Sequence, residues 1–286
     1  MIDSHTHTHY SKHARGTVDE VVRAAIARGV RILTITDHAP FPVDQGNRLL
    51  RSELRHYFDD VHEAKQRHAD QITVLAGLES DYLPGHEPGL VEMLGDVAPD
   101  FVIGSIHYVF IGQRKINVWD LQDMRDPGVL EAYFDSVRGL IGSGLFDALG
   151  HVDTVLRAGV GEAAFLRWFK PLVPLMIEHD VAYEINASGS KKSMLDARGI
   201  EVSGGRSYPC KPLVAELDRL GARFTVGSDA HRPEDVGAGL VEVLKGLGDA
   251  CPRQLSWYEG RGRRDLATDV AFPQLLRSKT SAAALA

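Results

Sequence analysis

The chain has 286 residues, 44% of them hydrophobic and 25% charged, with a formal net charge of −7. Those proportions describe a globular protein, and the length suits one large α/β barrel or two smaller domains. The acidic balance excludes a broad basic footprint for nucleic acid, and no run of about 18 apolar residues offers a membrane span.

In chain order, short β-branched runs alternate with longer amphipathic stretches. Strands are expected near Ile2–Thr8, Val30–Thr36, Ile72–Leu78, Phe101–Ile106, Phe146–Leu149, Val181–Asn186 and Phe224–Gly227. A capping box, Thr17-x-x-Glu20, opens a helix that carries Val18, Val21, Val22, Ala25 and Ile26 at helical spacing and stops at Gly29. Further helical stretches are Gly128–Leu140, Phe165–His179 and Pro212–Leu220. Seven βα units without a low-complexity linker predict one α/β domain over 1–286, built as a parallel barrel or an open parallel sheet. The segments Val43–Leu54 and Ser188–Pro212 are long and polar, and are expected to be functional loops over one end of the barrel. Cys210 and Cys251 form no CxxC pair, which indicates a reducing compartment, and the N-terminus has no signal-peptide pattern, so the expected location is the cytoplasm.

Thirteen histidines are many for this length, and their placement is more telling than their number. His5 and His7 alternate on the first strand, so both leave one face. His38 ends the second strand, Glu79 the third, His107 the fourth and His151 the fifth. Asp229 and His231 follow the seventh, and His13 lies in the loop after the first. In a parallel barrel these strand ends converge on one mouth, where active sites form. Imidazoles and carboxylates are ligands for Zn, Mn or Fe, and nine such groups suit two to three divalent ions that share a carboxylate. Such a cluster acidifies a bound water and clamps an in-line displacement, which is phosphoester hydrolysis chemistry. A lone histidine at a strand end is more often an ordinary hydrogen-bonded residue; the repetition sets these apart. His9, His86 and His179 are read as structural, and His56, His62 and His68 as a solvated helix face.

At these residues the chain resembles the polymerase-and-histidinol-phosphatase (PHP) family. The motifs are His5-Thr6-His7, Thr36-Asp37-His38, Gly77-Leu78-Glu79, Ser105-Ile106-His107, Gly150-His151 and Gly227-Ser228-Asp229-Ala230-His231. Within the family, the strings His13-Ala14-Arg15-Gly16-Thr17, Asp37-His38-Ala39-Pro40, Glu79-Ser80-Asp81-Tyr82 and Asn186-Ala187-Ser188-Gly189 are most similar to monofunctional histidinol-phosphate phosphatases. The resemblance runs from residue 2 to about residue 240, with 241–286 as a C-terminal extension, and it implies a distorted (β/α)7 barrel with the metal site at the C-terminal ends of its strands. It further implies a metal-dependent phosphatase acting on L-histidinol phosphate in histidine biosynthesis. It also implies three ion sites: His5, His7, Glu79 and Asp229 at the first, Glu79, His107 and His151 at the second, and His13, His38 and His231 at the third. His5, His7, Glu79 and Asp229 would act catalytically through a metal-bound hydroxide. Two positions depart from the family pattern, Ser207 before and Cys210 after the Tyr208-Pro209 pair.

Arg157, Arg206 and Lys191 are the candidates for binding the substrate phosphate, because arginine binds it bidentately and lysine as a point charge. Asp44, Asp81 and Asp153 could meet a cationic substrate end. The expected partner is a small phosphorylated substrate, with no nucleic acid and no membrane, in a monomer or homodimer. Alternatives are a PHP phosphoesterase acting on nucleotides or other small phosphate esters, an amidohydrolase-type metal hydrolase, and a non-catalytic metal-stabilised domain.

Overall fold

The computed structural model describes residues 1–203 and 208–275. Seven strands form one parallel sheet in chain order: Ile2–Asp3 (β1), Ile32–Ile35 (β2), Thr73–Asp81 (β3), Phe101–Ser105 (β4), Ala148–Leu149 (β5), Ala182–Asn186 (β6) and Phe224–Gly227 (β7). The backbone of Ser4 donates to Val226 O at 2.9 Å, Asp229 donates to His5 O at 2.8 Å and His7 to Ala230 O at 2.8 Å. These bonds bring the two edge strands together and close the sheet into the expected distorted barrel. Asp3, wholly buried, fastens the same seam by accepting from Ser228 N at 2.8 Å, Ser228 Oγ at 2.6 Å and Gly237 N at 2.8 Å.

Local sequence explains most of the elements. The helix Val18–Arg28 (α1) opens on the capping box, with Thr17 N donating to Glu20 Oε2 at 2.7 Å and Glu20 N to Thr17 Oγ1 at 3.3 Å, and it ends at Gly29 in the left-handed conformation. β3 is the longest barrel strand and is buried at every residue but the first, as a strand covered on both faces should be.

Several expected bounds differ. β1 covers only Ile2–Asp3, because beyond Asp3 the chain leaves the regular ladder and pairs singly with its neighbours, as in the Thr6–Ala230 bridge. The stretch Phe165–His179 is not one helix but Glu162–Phe169 and Val173–Glu178, with a 3₁₀ turn at Lys170–Leu172; Pro171 and Pro174 interrupt the backbone bonding. Within Ser188–Pro212, the described part contains a 3₁₀ turn at Ala187–Lys191 and a small hairpin, Met194–Leu195 with Glu201–Val202. His68 is no part of a solvated face: it is buried at the end of its helix, 2.8 Å from Asp19 Oδ1, whereas His56 and His62 are exposed.

Two further antiparallel hairpins were not expected. One, Tyr108–Ile111 with Arg114–Asn117, follows His107 and stands beside the barrel mouth. The other, Gln254–Glu259 with Gly262–Ala267, closes the opposite end. Its Tyr258 stacks on Phe101 with ring centroids 4.9 Å apart and donates to Asp147 O at 3.2 Å. Phe101, Ile103, Ala148, Ala182 and Tyr258 form a separate apolar cluster inside the barrel floor. Arg261, at the hairpin turn, pairs with Asp147 at 2.6 Å and donates from its backbone to Asp100 O at 2.9 Å. Among the described residues no helix is long and apolar enough to cross a membrane.

Candidate metal centre

All nine candidate ligands converge at the C-terminal mouth of the barrel. Glu79 is the hub. Its Oε2 lies 3.2 Å from His5 Nε2, 3.4 Å from His7 Nε2 and 3.2 Å from His38 Nδ1. Its Oε1 lies 3.0 Å from His151 Nε2 and 3.4 Å from His107 Nε2, and accepts from Ser105 Oγ at 2.6 Å. One carboxylate therefore presents its two oxygens to two different sets of imidazoles, the disposition of a bridging ligand. Asp229 Oδ1 is 3.4 Å from His7 Nε2 and 3.8 Å from His5 Nε2. His13 Nε2 and His231 Nε2 are 2.9 Å apart.

Three groups of these residues have ligand atoms close enough together to hold one ion each: His5, His7 and Asp229; His38, Glu79 and His107; and His7, His38 and His231. They share members and divide the ligands a little differently from the family pattern, with His38 beside His107 and His7 beside His231.

The rings are aimed from behind. His5 Nδ1 donates to Glu184 Oε1 at 2.6 Å, His107 Nδ1 to Asp81 Oδ1 at 3.0 Å, and His13 Nδ1 to Ser11 O at 2.7 Å; His7 Nδ1 meets Ser11 Oγ at 3.1 Å. In each case Nε2 is left facing inward, as metal-binding histidines require. Asp37, the middle residue of Thr36-Asp37-His38, is itself no member of the cluster. It accepts from Thr8 N at 2.9 Å, Thr8 Oγ1 at 2.7 Å, Ser11 N at 3.0 Å and Ser11 Oγ at 2.5 Å, and so fixes the turn that carries His7 and His13.

The electrostatics match a cation site. Burial alone would favour neutral carboxyls, yet His38 and His5 hold Glu79 well below its usual range, and His5 does the same for Asp229. Burial, and then the charge of His231, lowers His7 to about 3, which leaves it a neutral donor. Burial opposes a charge on His5, but Glu184, Glu79 and Asp229 outweigh it and raise its pKa well above normal. His38 Nδ1 is buried and makes no hydrogen bond of acceptable geometry among the described residues. Inward-facing ring nitrogens around ionised carboxylates, with one buried nitrogen left over, form a donor set that divalent cations fit once the protonated rings give up their protons.

Above the cluster opens a cavity of about 460 Å³, lined also by Asp44, Asn47, Arg48, Tyr108, Asn117, Trp119 and Lys192. Of the basic candidates, Arg157 is not in the cavity lining and packs on Trp119, its guanidinium 5.0 Å from the ring centroid and its Nε donating to Ser193 O at 2.7 Å. Lys191 faces away and pairs with Asp235 at 2.6 Å, while its neighbour Lys192 lines the cavity, 5.1 Å over the same Trp119 ring. Arg206 lies outside the described residues. Among the acidic candidates, Asp44 lines the cavity and accepts from Tyr108 Oη at 2.8 Å. Asp81 is held by Arg48 at 2.8 Å, and Asp153 is buried away from the cavity, accepting from Tyr183 Oη and Cys210 N at 2.5 Å each.

Sequence reasoning missed Glu184, Arg48, Trp119 and Lys192. Glu184 had a visible signal, a charged residue in the apolar strand Ala182–Asn186. Trp119 lies in the unexpected segment that follows the Tyr108–Asn117 hairpin.

Comparison with known proteins identifies the family. The PHP domain family matches residues 3–188, and a PHP-associated family matches residues 215–249. The chain is 31% identical over 263 residues to a protein named "Probable histidinol-phosphatase" from Deinococcus radiodurans, covering 90% of this chain and 96% of that one. It is 25% identical over 272 residues to a protein of the same name from Schizosaccharomyces pombe, covering 87% and 86%. Its fold is that of histidinol phosphate phosphatase from Lactococcus lactis, crystallised with zinc, L-histidinol and phosphate: TM-score 0.76 at 21% identity, covering 92% of this chain and 98% of the other. A family match over well beyond half the chain, together with a relative similar along nearly its whole length, makes this chain a member of the PHP family and a histidinol-phosphatase-like hydrolase.

Proposed function

We propose that the protein hydrolyses L-histidinol phosphate to L-histidinol and inorganic phosphate, a step of histidine biosynthesis, and that it works with two to three divalent ions of zinc, manganese or iron. The carrying observation is one cavity that joins seven of the nine cluster residues, all but the buried His5 and His7, to a wall suited to a small, cationic phosphate ester. A volume of about 460 Å³ is within the range of small-molecule sites. The names of the two relatives support the choice of ester.

His5, His7, Glu79 and Asp229 would hold one ion, Glu79, His107 and His151 a second, and His13, His38 and His231 a third. Such ions supply an acidified water and offset the charge that builds on the phosphate oxygens. The residues around them do the rest. Glu79 couples the subsites through its two oxygens. Lys192 contributes a point charge for the phosphate, and Trp119, braced by Arg157, holds Lys192 over the cavity. Asp44, oriented by Tyr108 Oη, offers a carboxylate to the cationic end of the substrate. The whole chain acts as one unit, with the C-terminal hairpin closing the floor beneath the site.

The test is a steady-state comparison of phosphate release from L-histidinol phosphate with that from nucleotide and sugar phosphates. The expected result is a kcat/KM for histidinol phosphate well above the others. Equal or better turnover of another ester would replace the substrate while keeping the hydrolase.

A further inference from the structure

Glu184 lies in the middle of β6, about 1% exposed, and is not one of the nine candidate ligands. Three donors converge on it. His5 Nδ1 reaches Oε1 at 2.6 Å, while the backbone N of His151 at 2.7 Å and Asn186 Nδ2 at 3.1 Å reach Oε2. The Asn186 amide also lies 3.4 Å from Asp229 Oδ2. One carboxylate thus touches a ligand from the start of the barrel, the backbone of a ligand from its middle, and a residue beside a third ligand near its end.

Two further features depend on this arrangement. His151 has a φ of +28°, a conformation that a residue with a β-carbon seldom adopts, and the bond from its N–H to Glu184 helps to hold it there. Gly227 of β7 leaves the necessary room: a β-carbon there would lie 2.3 Å from His5 Cβ and 2.8 Å from Glu184 Oε1. Chemistry also restricts position 184. His5 Nδ1–H and the His151 N–H are both donors, one to each oxygen, so an acceptor-only group is needed. A carboxamide would turn its own NH₂ toward one of them.

We propose that Glu184 is a positioning residue that fixes the His5 ring and the His151 backbone, so that both Nε2 atoms point at Glu79 and the centre binds cations tightly. This rests on reading the cluster as a cation site. A carboxylate behind a ligating imidazole sets its tautomer and strengthens it as a donor.

The test is Zn²⁺ binding by wild-type protein and Glu184→Gln, measured by chelator competition, with folding checked by circular dichroism. The expected result is a folded variant that binds Zn²⁺ about 10- to 100-fold more weakly. A variant that binds as tightly as wild type overturns the proposal. If the wild-type arm alone shows no Zn²⁺ binding, the cation-site reading fails first and this proposal falls with it. Should Glu184→Gln not fold, ring ¹⁵N shifts of His5 in the Zn²⁺-loaded wild type decide the matter. A proton on Nδ1 supports the proposal, and a proton on Nε2 overturns it.

Discussion

His13 Nε2 and His231 Nε2 face each other at 2.9 Å although 218 residues of chain separate them. Each ring is held from behind by a carbonyl, Ser11 O at 2.7 Å and Asp229 O at 3.1 Å. Two inward lone pairs at this distance repel unless a proton or a cation lies between them. Burial, and then the charge of His231, lowers the pKa of His13, which disfavours the proton.

The centre is therefore expected to exchange protons for cations. The pKa values of His5 and His107 are raised despite burial, His5 mainly by Glu184 and His107 mainly by Asp81, so both rings retain protons toward neutral pH. A ligating nitrogen must give up its proton, so cation binding should release protons near pH 7, and affinity should rise as pH rises. Calorimetric titration with Zn²⁺ in two buffers of different ionisation enthalpy measures the release. Heats that do not depend on the buffer would refute it.

Removing ligands separates the metal from the fold. His107→Ala and Asp229→Ala should each lose at least ~100-fold in phosphate release together with part of the bound metal, since both act through the cations. Elemental analysis and circular dichroism on the same preparations check this. Full metal content in either variant contradicts its placement as a ligand.

The two adjacent lysines should behave differently. Lys192→Ala removes the point charge over Trp119 and is expected to raise KM about 10-fold, corresponding to ~1.4 kcal/mol of binding. Lys191→Ala only frees Asp235 on the surface and should leave KM unchanged. Steady-state kinetics on the pair decides, and equal effects would remove the distinction.

The floor hairpin should matter for stability and not for chemistry. Tyr258 is buried against Phe101, so Tyr258→Ala is expected to cost about 3–5 kcal/mol in urea unfolding, as large-to-small core substitutions of aromatics do. Tyr258→Phe loses only the bond to Asp147 O and should cost about 1 kcal/mol. KM should stay at the wild-type value in both.

The barrel was legible because its strands are short β-branched runs between amphipathic stretches, and the cluster because its members recur at strand ends. What stayed hidden has physical reasons. The hairpins at Tyr108–Asn117 and Gln254–Ala267 are short and partly exposed, so their apolar alternation is weak; the Gly260 turn, with positive φ, was the available signal for the second. The choice between Lys191 and Lys192 depends on how the chain leaves a 3₁₀ turn at Ala187–Lys191, which composition does not encode. The charge of Glu184 within an apolar strand was visible, but its role was not, because its partners are a ring 179 positions away and a backbone N–H, and a side chain's pairing with a backbone group leaves no mark in spacing.

The seam between the first and last barrel strands carries a mechanical consequence. His5, His7 and His13 lie on one side of it, Asp229 and His231 on the other, so ions shared between them would work as a clasp on the barrel's own closure. Demetallation should then loosen the protein locally before it unfolds globally, with the amides of Ser4, His7 and Asp229 exchanging with solvent ahead of those in β3 and β4.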